Sequence, residues 1–145
     1  PQACIEILDH YGVALRGKKA VVVGRSLVVG RPAAMMLLAR NATATICHTK
    51  TVDMPAVCRE AEILVVSVGQ ADFIGKDYLS PGQVVIDVGI NVREDGSLAG
   101  DVNFAEAEPI VAAISPVPGG VGTVTTSVLV KHVVQAAKKR LEARA

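Results

Sequence analysis

Short apolar segments alternate with segments of helical pattern along the whole chain. Continuous apolar runs, such as VVV at 21–23 and ILVV at 63–66, are typical of strands covered on both faces, as in a parallel sheet. Strands and helices in alternation produce βαβ units. The sequence therefore predicts an α/β fold, a doubly wound and mostly parallel sheet with helices on both faces.

The apolar and helical patterns give boundaries for each element. Strands are predicted at 18–24, 42–48, 62–69 and 82–90, with a short extended piece at 113–118. Helices are predicted at 2–12, 31–41, 54–61, 103–112 and 125–143, with at most one helical turn at 76–79. The polar segment 92–101 contains the turn signal EDG and predicts a hairpin or edge flap. A helix at the start of the chain predicts a domain cut from a longer protein.

Composition narrows the classes of function. The 145 residues predict a single domain, residues 1–145, and half of them are apolar, which suffices for a core. The net charge is +1 with basic residues spread along the chain, which argues against nucleic-acid binding. With no apolar run of membrane-span length and no leader, we expect a cytoplasmic protein with no membrane contact. The cysteines Cys4, Cys47 and Cys58 lack a zinc spacing, so we expect reduced thiols and no metal.

The end of the first predicted strand has the features of an anion site. Gly24 ends the strand and Gly30 opens the helix, but neither the dinucleotide fingerprint G-x-G-x-x-G nor the P-loop pattern is present. The positive end of the helix favours an anion. Ser26 can add a hydroxyl and Arg25 a bidentate contact to a phosphate. The alternative is that the glycines only permit a tight turn.

The second strand end indicates which nucleotide is bound. NAD-specific domains of this class carry an acidic residue there for the ribose 2′-hydroxyl. Here His48, Thr49 and Lys50 follow the strand, and Thr49, Lys50 and Arg25 can bind a 2′-phosphate, so NADP is favoured over NAD. The alternative is that Thr49 caps a turn and Lys50 is solvated. His48 is interpreted as a packed or turn histidine without a catalytic role.

The remaining strand ends and one glycine-rich segment complete the candidate site. Glycines in SVG and DVGIN allow a flat ring to approach the backbone, and Ile90 can flank a nicotinamide. Asp87 and Asp101 are candidate general bases, although a structural role is favoured for both. The segment PVPGGVGTVTT at 116–126 is interpreted as a ligand-facing loop rather than a plain turn, with Thr123 or Thr125 capping the last helix.

Six motifs in register resemble a known family. VVVGRSLVVGRP, ATATICHTKT, ILVVSVGQ, VVIDVGIN, GDV and SPVPGGVGTVT occur in the order seen in bifunctional methylenetetrahydrofolate dehydrogenase/methenyltetrahydrofolate cyclohydrolase. The resemblance covers essentially the whole chain and implies the second, Rossmann-like domain, which binds NADP. The amino-terminal folate-binding domain of that family is absent from this sequence. The loop departs from the family's usual Pro-Met-Thr, because Thr123 and Val124 replace the first two residues and only Thr125 matches.

The resemblance also implies roles for particular residues. The cofactor-binding positions of the family correspond to Gly24, Arg25, Ser26, Thr49 and Ile90, and its substrate cleft corresponds to Pro118, Gly119, Gly120 and Val121. The family's catalytic residues lie in the other domain, so no catalytic residue is assigned to this chain, which alone should be inactive.

The implied parent enzyme oxidises 5,10-methylene-tetrahydrofolate with NADP and hydrolyses the product to 10-formyl-tetrahydrofolate. This places it in one-carbon metabolism, which serves purine and amino-acid biosynthesis. Tetrahydrofolate derivatives are the implied substrates, and a homodimer is the implied assembly. Two alternatives stay open: the cofactor domain of another two-domain NADP dehydrogenase of the shikimate type, and a non-catalytic nucleotide-sensing module.

Overall fold

The computed structural model describes residues 1–143, so residues 144 and 145 of the predicted domain lie outside the described part. The strands are β1 (Lys19–Val23), β2 (Thr43–Cys47), β3 (Ile63–Val66), β4 (Val84–Asp87), β5 (Asn91–Val92), β6 (Leu98–Ala99) and β7 (Ala113–Ile114). The helices are α1 (Gln2–His10), α2 (Gly30–Ala39), α3 (Met54–Arg59), α4 (Phe104–Ala107) and α5 (Val121–Glu142), with a short 3₁₀ turn at Lys76–Tyr78. Every predicted element is present, and most are shorter than predicted at one or both ends.

A five-stranded sheet forms the centre of the fold. Its strand order is β2-β1-β3-β4-β7, and each neighbouring pair is parallel. After β2 the chain crosses back over β1, so β2 and β3 lie on opposite sides of β1. This reversal is a topological switch point, and in open α/β sheets ligands bind outside the carboxyl ends of the strands at such a point.

Helices cover both faces of the sheet, as predicted. Ala20 and Val22 of β1 belong to a core cluster with residues of α1, α2 and α5. Val21 and Val23 belong to a second cluster with residues of α3 and α4. Successive side chains of a strand point to opposite faces, and here both faces are buried, which explains the continuous apolar runs.

The predicted hairpin is also present. Strands β5 and β6 pair antiparallel, with Asn91 opposite Ala99 and Val92 opposite Leu98. Arg93 and Gly96 close the turn between them, since the Gly96 amide donates to the Arg93 carbonyl over 2.9 Å.

The start of the last helix differs from the prediction. Helix α5 begins at Val121, four residues before the predicted start at 125, because the buried Val121 anchors its first turn in the core. Thr123 and Thr125 therefore do not cap the helix. Their hydroxyls donate instead to the carbonyls of Gly120, over 2.8 Å, and Val121, over 2.9 Å. Threonine has a low helix propensity, so local sequence indicated a loop where burial enforces a helix.

All three cysteines are buried, as expected, and none is paired with another in residues 1–143. Burial, together with the neighbouring Cys47 thiol, raises the pKa of Cys58 to about 12. Burial also raises the pKa values of Cys4 and Cys47. These thiols therefore stay protonated and contribute to packing.

Candidate functional site

The carboxyl ends of four strands form one row at the same edge of the sheet. The Gly24 amide donates to the Cys47 carbonyl over 2.9 Å, which aligns the ends of β1 and β2. The Ser67 amide donates to the Val23 carbonyl over 2.8 Å, and β4 ends in register beside it. The segments that follow these strands are therefore neighbours, with the switch point between β1 and β3 at the centre.

The turn after β1 is built around two glycines. Gly24 has a φ of +119°, and a β-carbon there would overlap the carbonyl oxygen of Ser67. A β-carbon at Gly30 would overlap the carbonyl oxygen of Gly24. Both glycines are thus required by the packing of the turn itself, and a role in anion binding has to rest on the other groups present.

Those other groups are backbone amides and the Ser26 hydroxyl. The Ser26 Oγ accepts hydrogen bonds from the amides of Val29, over 3.0 Å, and Gly30, over 3.3 Å, which leaves its own hydrogen free to donate. Among residues 1–143, the amides of Arg25, Leu27 and Val28 donate to no acceptor. The turn therefore presents several free donors at the amino terminus of α2, which suits an anion.

The Ser67 hydroxyl lies beneath this turn. Its oxygen would be 2.8 Å from a β-carbon on Gly24. In the part of the chain that the structure describes, it is the one buried side-chain polar atom without a hydrogen-bond partner. A buried polar group without a partner costs free energy, and proteins carry such costs mainly at functional sites. Nothing in the sequence pattern singled out Ser67, because only the strand order brings it to Gly24.

The turn after β2 places Thr49 and Lys50 on the surface. The Thr51 Oγ accepts from the His48 amide over 2.9 Å, and the Thr51 amide donates to the His48 carbonyl over 2.7 Å. His48 Nδ1 accepts from the Lys50 amide over 3.1 Å, so His48 is a turn histidine, as interpreted. The hydroxyl that stabilises this turn belongs to Thr51. The alternative that Thr49 caps the turn is therefore wrong, and the Thr49 and Lys50 side chains are exposed.

The glycine-rich segment faces the end of β4 across a cavity of about 280 Å³. Ile90, Gly119 and Gly120 all line this cavity. The Ile90 side chain is 62% exposed, and its Cδ1 would be 3.4 Å from a β-carbon on Gly122. The structure thus brings together the residues predicted to contact a ring and those predicted to line a substrate cleft.

Asp87 is buried at the end of β4 and is 3% exposed. Its carboxylate accepts from the amides of Gly89, Asp101 and Val102 over 2.9 to 3.0 Å. Burial raises the pKa of Asp87, although these amides offset part of the effect. Although Asp87 borders the cavity lined by Ile90 and Gly119, its carboxylate oxygens are bonded to backbone amides, which supports the favoured structural role.

Asp101 is fully buried beside it and has a different set of partners. Its Oδ2 accepts from the amides of Val68, over 2.6 Å, and Gly69, over 2.9 Å. Its Oδ1 accepts from the Gln70 amide over 3.0 Å and from Asn91 Nδ2 over 2.9 Å. Asp101 therefore joins the segment after β3 to the hairpin, and it too has a structural role. This connection was not evident from the sequence, because the amides of residues 68–70 lie more than 30 residues from Asp101.

A larger cavity of about 720 Å³ lies elsewhere in the domain. It is lined by α1, the β4–β7 edge of the sheet and the start of α5, with Ile7, Tyr11, Ile114 and Val124 in its walls. It is mostly apolar and does not include the Gly24 turn. The row of strand ends, with its free amides and exposed polar side chains, is the better candidate for a nucleotide.

Residues 1–143 contain neither a helix suited to a membrane nor a cluster suited to a metal ion. None of the helices in residues 1–143 is both long enough and apolar enough to cross a bilayer. Across the same described range, histidine, cysteine, aspartate and glutamate side chains form no group of three or more that could hold a metal ion.

A parallel sheet with this strand order, and a glycine turn leading into a helix at the switch point, define a nucleotide-binding domain of the doubly wound class. More specifically, the chain belongs to the family described as "Tetrahydrofolate dehydrogenase/cyclohydrolase, NAD(P)-binding domain", whose model matches residues 1–141. The family resemblance seen in the motifs is thereby confirmed.

Similar proteins and structures cover nearly the whole chain. The chain is 60% identical over 138 residues to "Bifunctional protein FolD" of Carboxydothermus hydrogenoformans, covering 94% of this chain and 48% of that protein. It matches the crystal structure of the bifunctional enzyme FolD from Campylobacter jejuni with a TM-score of 0.94 at 41% identity, covering 97% of this chain and 50% of that one. A Trypanosoma brucei FolD structure, complexed with NADP cofactor and inhibitor, matches with a TM-score of 0.89 at 36% identity, covering 97% of this chain and 50% of that one. The chain therefore spans about half the length of these relatives.

Proposed function

We propose that this chain is the NADP-binding half of a bifunctional methylenetetrahydrofolate dehydrogenase/methenyltetrahydrofolate cyclohydrolase. The observation that carries the proposal is the arrangement at the switch point. Free amides at the start of α2 lie beside an exposed Thr49 and Lys50, with no carboxylate at the end of β2. Membership of the family supports the reaction.

The residues present fit a bound NADP. The free amides after Gly24, together with the Ser26 hydroxyl, suit the pyrophosphate at the start of α2. Arg25, Thr49 and Lys50 are exposed on adjacent turns and suit the 2′-phosphate, which a carboxylate in the same place would repel. Ile90 borders the cavity at the end of β4 and would contact the nicotinamide.

Bound NADP would supply the hydride acceptor for oxidation of the methylene carbon of 5,10-methylene-tetrahydrofolate to the 5,10-methenyl compound. The part played by this chain is to bind and orient the cofactor, which is the usual contribution of the protein in nicotinamide chemistry. Gly119 and Gly120 form the wall of the cavity opposite Ile90 and would face the tetrahydrofolate derivative. In the proposed second reaction, water adds to the methenyl carbon, a proton is released and the bond from that carbon to N5 breaks, which gives 10-formyl-tetrahydrofolate.

We propose that the catalytic residues and most of the folate site lie in a further domain. The curated relatives are about twice as long as this chain. Helix α5 supports a further domain, because Leu129, Val133 and Leu141 are 62%, 62% and 69% exposed. Apolar side chains repeated along one helix are typical of a surface that another domain covers.

We also propose that the protein is a cytoplasmic homodimer. Val92 and Leu98 lie opposite each other in the hairpin and are 71% and 42% exposed, which suits contact with a second copy. Buried free cysteines suit a reducing compartment. Light scattering on the purified protein tests the assembly: a dimer mass supports this proposal, and a monomer mass contradicts it.

An assay of the protein at its natural full length tests the function. NADP reduction that depends on 5,10-methylene-tetrahydrofolate, followed by hydrolysis of the methenyl product, would support the proposal. Binding of NADP and folate without turnover would favour a nucleotide-sensing module. Turnover of a shikimate-type substrate would favour the other two-domain dehydrogenase.

A further inference from the structure

The segment after β3 is held by a single buried carboxylate. Three consecutive amides, of Val68, Gly69 and Gln70, donate to Asp101 over 2.6, 2.9 and 3.0 Å. Gly69 has a φ of +72°, which lets successive amides converge on one anion. Here the anion is part of the chain, and its negative charge is balanced by amide donors.

This arrangement also fixes the direction of the carbonyls in the same segment. In a trans peptide the N–H and the preceding C=O point in opposite directions. Because the amide of Val68 points to Asp101, the carbonyl of Ser67 points away from it. That carbonyl lies against Gly24, where it occupies the space that a β-carbon would need. Asp101 is thus connected, through one peptide unit, to the turn at the start of the candidate cofactor site.

Asp101 is itself held rigidly. Its amide donates to Asp87 over 3.0 Å, and its carbonyl accepts from the Ile74 amide over 2.9 Å. Its carboxylate occupies the space beside Gly89 that a β-carbon there would fill. A buried, fully bonded carboxylate of this kind gives the attached segments one conformation.

We propose that Asp101 is a positioning residue for the cofactor site: its carboxylate holds the segment after β3, and through the Ser67 carbonyl it holds the Gly24 turn in the conformation that binds the nucleotide. This inference rests on the proposed function for the identity of the ligand. Without the carboxylate, the turn is in its binding conformation for a smaller fraction of the time, and the apparent dissociation constant rises in proportion.

The test compares two buried polar residues in the protein at its natural full length. Asp101→Asn keeps the shape of the side chain but replaces one acceptor oxygen with a donor. Gln83→Met is the matched control, because Gln83 is 1% exposed, bonds three backbone groups and lies just before β4, at the opposite edge of the sheet. Calorimetric titration with NADP gives the dissociation constant, and amide hydrogen exchange without ligand reports on the Gly24 turn and on residues 68–70.

We expect Asp101→Asn to raise the dissociation constant about tenfold or more, the result if the turn is competent a tenth of the time. In the ligand-free exchange measurement, the amides at 68–70 should exchange faster, and the exchange rates of the Gly24 turn should change. Gln83→Met should lower the melting temperature but leave NADP binding within about twofold, since its contacts lie far from the site. NADP binding by Asp101→Asn equal to wild type would overturn the proposal, as would equal weakening by both variants.

A second variant and the ligand-free exchange measurements keep the test decisive. If Asp101→Asn fails to fold, Asn91→Ala removes one donor from the same carboxylate at a half-buried position, and an unchanged affinity and unchanged exchange at 68–70 would overturn the proposal. If the wild-type protein binds no NADP, the proposed function fails. The exchange measurements need no ligand, so they separately establish whether Asp101 holds the Gly24 turn.

Discussion

The carbonyl oxygen of Ser67 fills the space beside Gly24 where any other residue would carry its β-carbon. These two residues directly follow the adjacent strands β3 and β1, and the ligand crevice of a doubly wound sheet opens between such strands. The backbone contact leaves no flexible group that could move aside.

Replacement of Gly24 by alanine should therefore disrupt the turn. We expect Gly24→Ala to weaken NADP binding about tenfold or more, because both the φ of +119° and the overlap with Ser67 force the backbone to move. Gly12→Ala is the control: its φ is +67°, but its β-carbon would meet nothing within 4 Å. The control should lose about 1–2 kcal/mol of stability and keep its NADP affinity. Equal affinity in the Gly24→Ala variant would contradict the role of the turn.

Two threonines in the turn after β2 should have different effects, one on cofactor binding and the other on the stability of the fold. Thr51→Val removes the acceptor of the His48 amide and should cost about 0.5–1.5 kcal/mol of unfolding free energy. Thr49→Val changes an exposed hydroxyl and should leave stability unchanged while weakening NADP, and not NAD, several-fold. Chemical denaturation and titration of each variant measure the two effects. The prediction is wrong if Thr49→Val weakens both cofactors alike.

Asp87 should give stability an unusual dependence on pH. Burial raises the pKa of Asp87 in the folded chain above the ordinary value of 3.8. At a pH between the ordinary pKa and the raised pKa, the folded chain therefore binds more protons than the unfolded chain. The contribution of Asp87 to the free energy of unfolding therefore falls as pH rises through that window. The stability deficit of Asp87→Asn relative to wild type should be largest in acid and shrink as the pH increases.

Asp9 provides a control of opposite sign for this experiment. Its hydrogen bond from Arg40 lowers its pKa, so its contribution is present above the ordinary pKa and is lost in acid. The deficit of Asp9→Asn should therefore grow as the pH rises. Urea unfolding at a series of pH values measures both deficits, and a deficit of Asp87→Asn that also grew with pH would contradict the raised pKa.

Much of this architecture was predictable because strands buried on both faces leave continuous apolar runs. The rule that ligands lie beyond the strand ends selected Gly24 and Ile90 from the sequence, the family resemblance added Gly119, and the structure places all three at that edge. Their contacts with a cofactor stay a prediction. Position along the chain was sufficient there, since each residue lies within three residues of the end of a strand or the start of a helix.

The features that sequence reasoning missed depend on tertiary contacts. The contact between Ser67 and Gly24 depends on the order of the strands in the sheet, and the apolar pattern of the sequence does not reveal that order. The bonds from Asp101 to residues 68–70 cross more than 30 positions of the chain. Helix α5 starts early because Val121 is buried, and burial outweighs the low helix propensity of the threonines that follow it.

The most direct test of the central claim is a calorimetric titration of the full-length protein with NADP and with NAD, beside Arg25→Ala. Arg16→Ala is the matched control, because Arg16 is also exposed but precedes β1, at the opposite edge of the sheet. A charge-assisted contact to phosphate contributes about 1.5–3 kcal/mol, so NADP should bind about tenfold or more tightly than NAD. Arg25→Ala should close that gap and Arg16→Ala should leave it intact. Equal affinities for the two cofactors in the wild-type protein, or a gap that survives Arg25→Ala, would contradict a 2′-phosphate site at this turn.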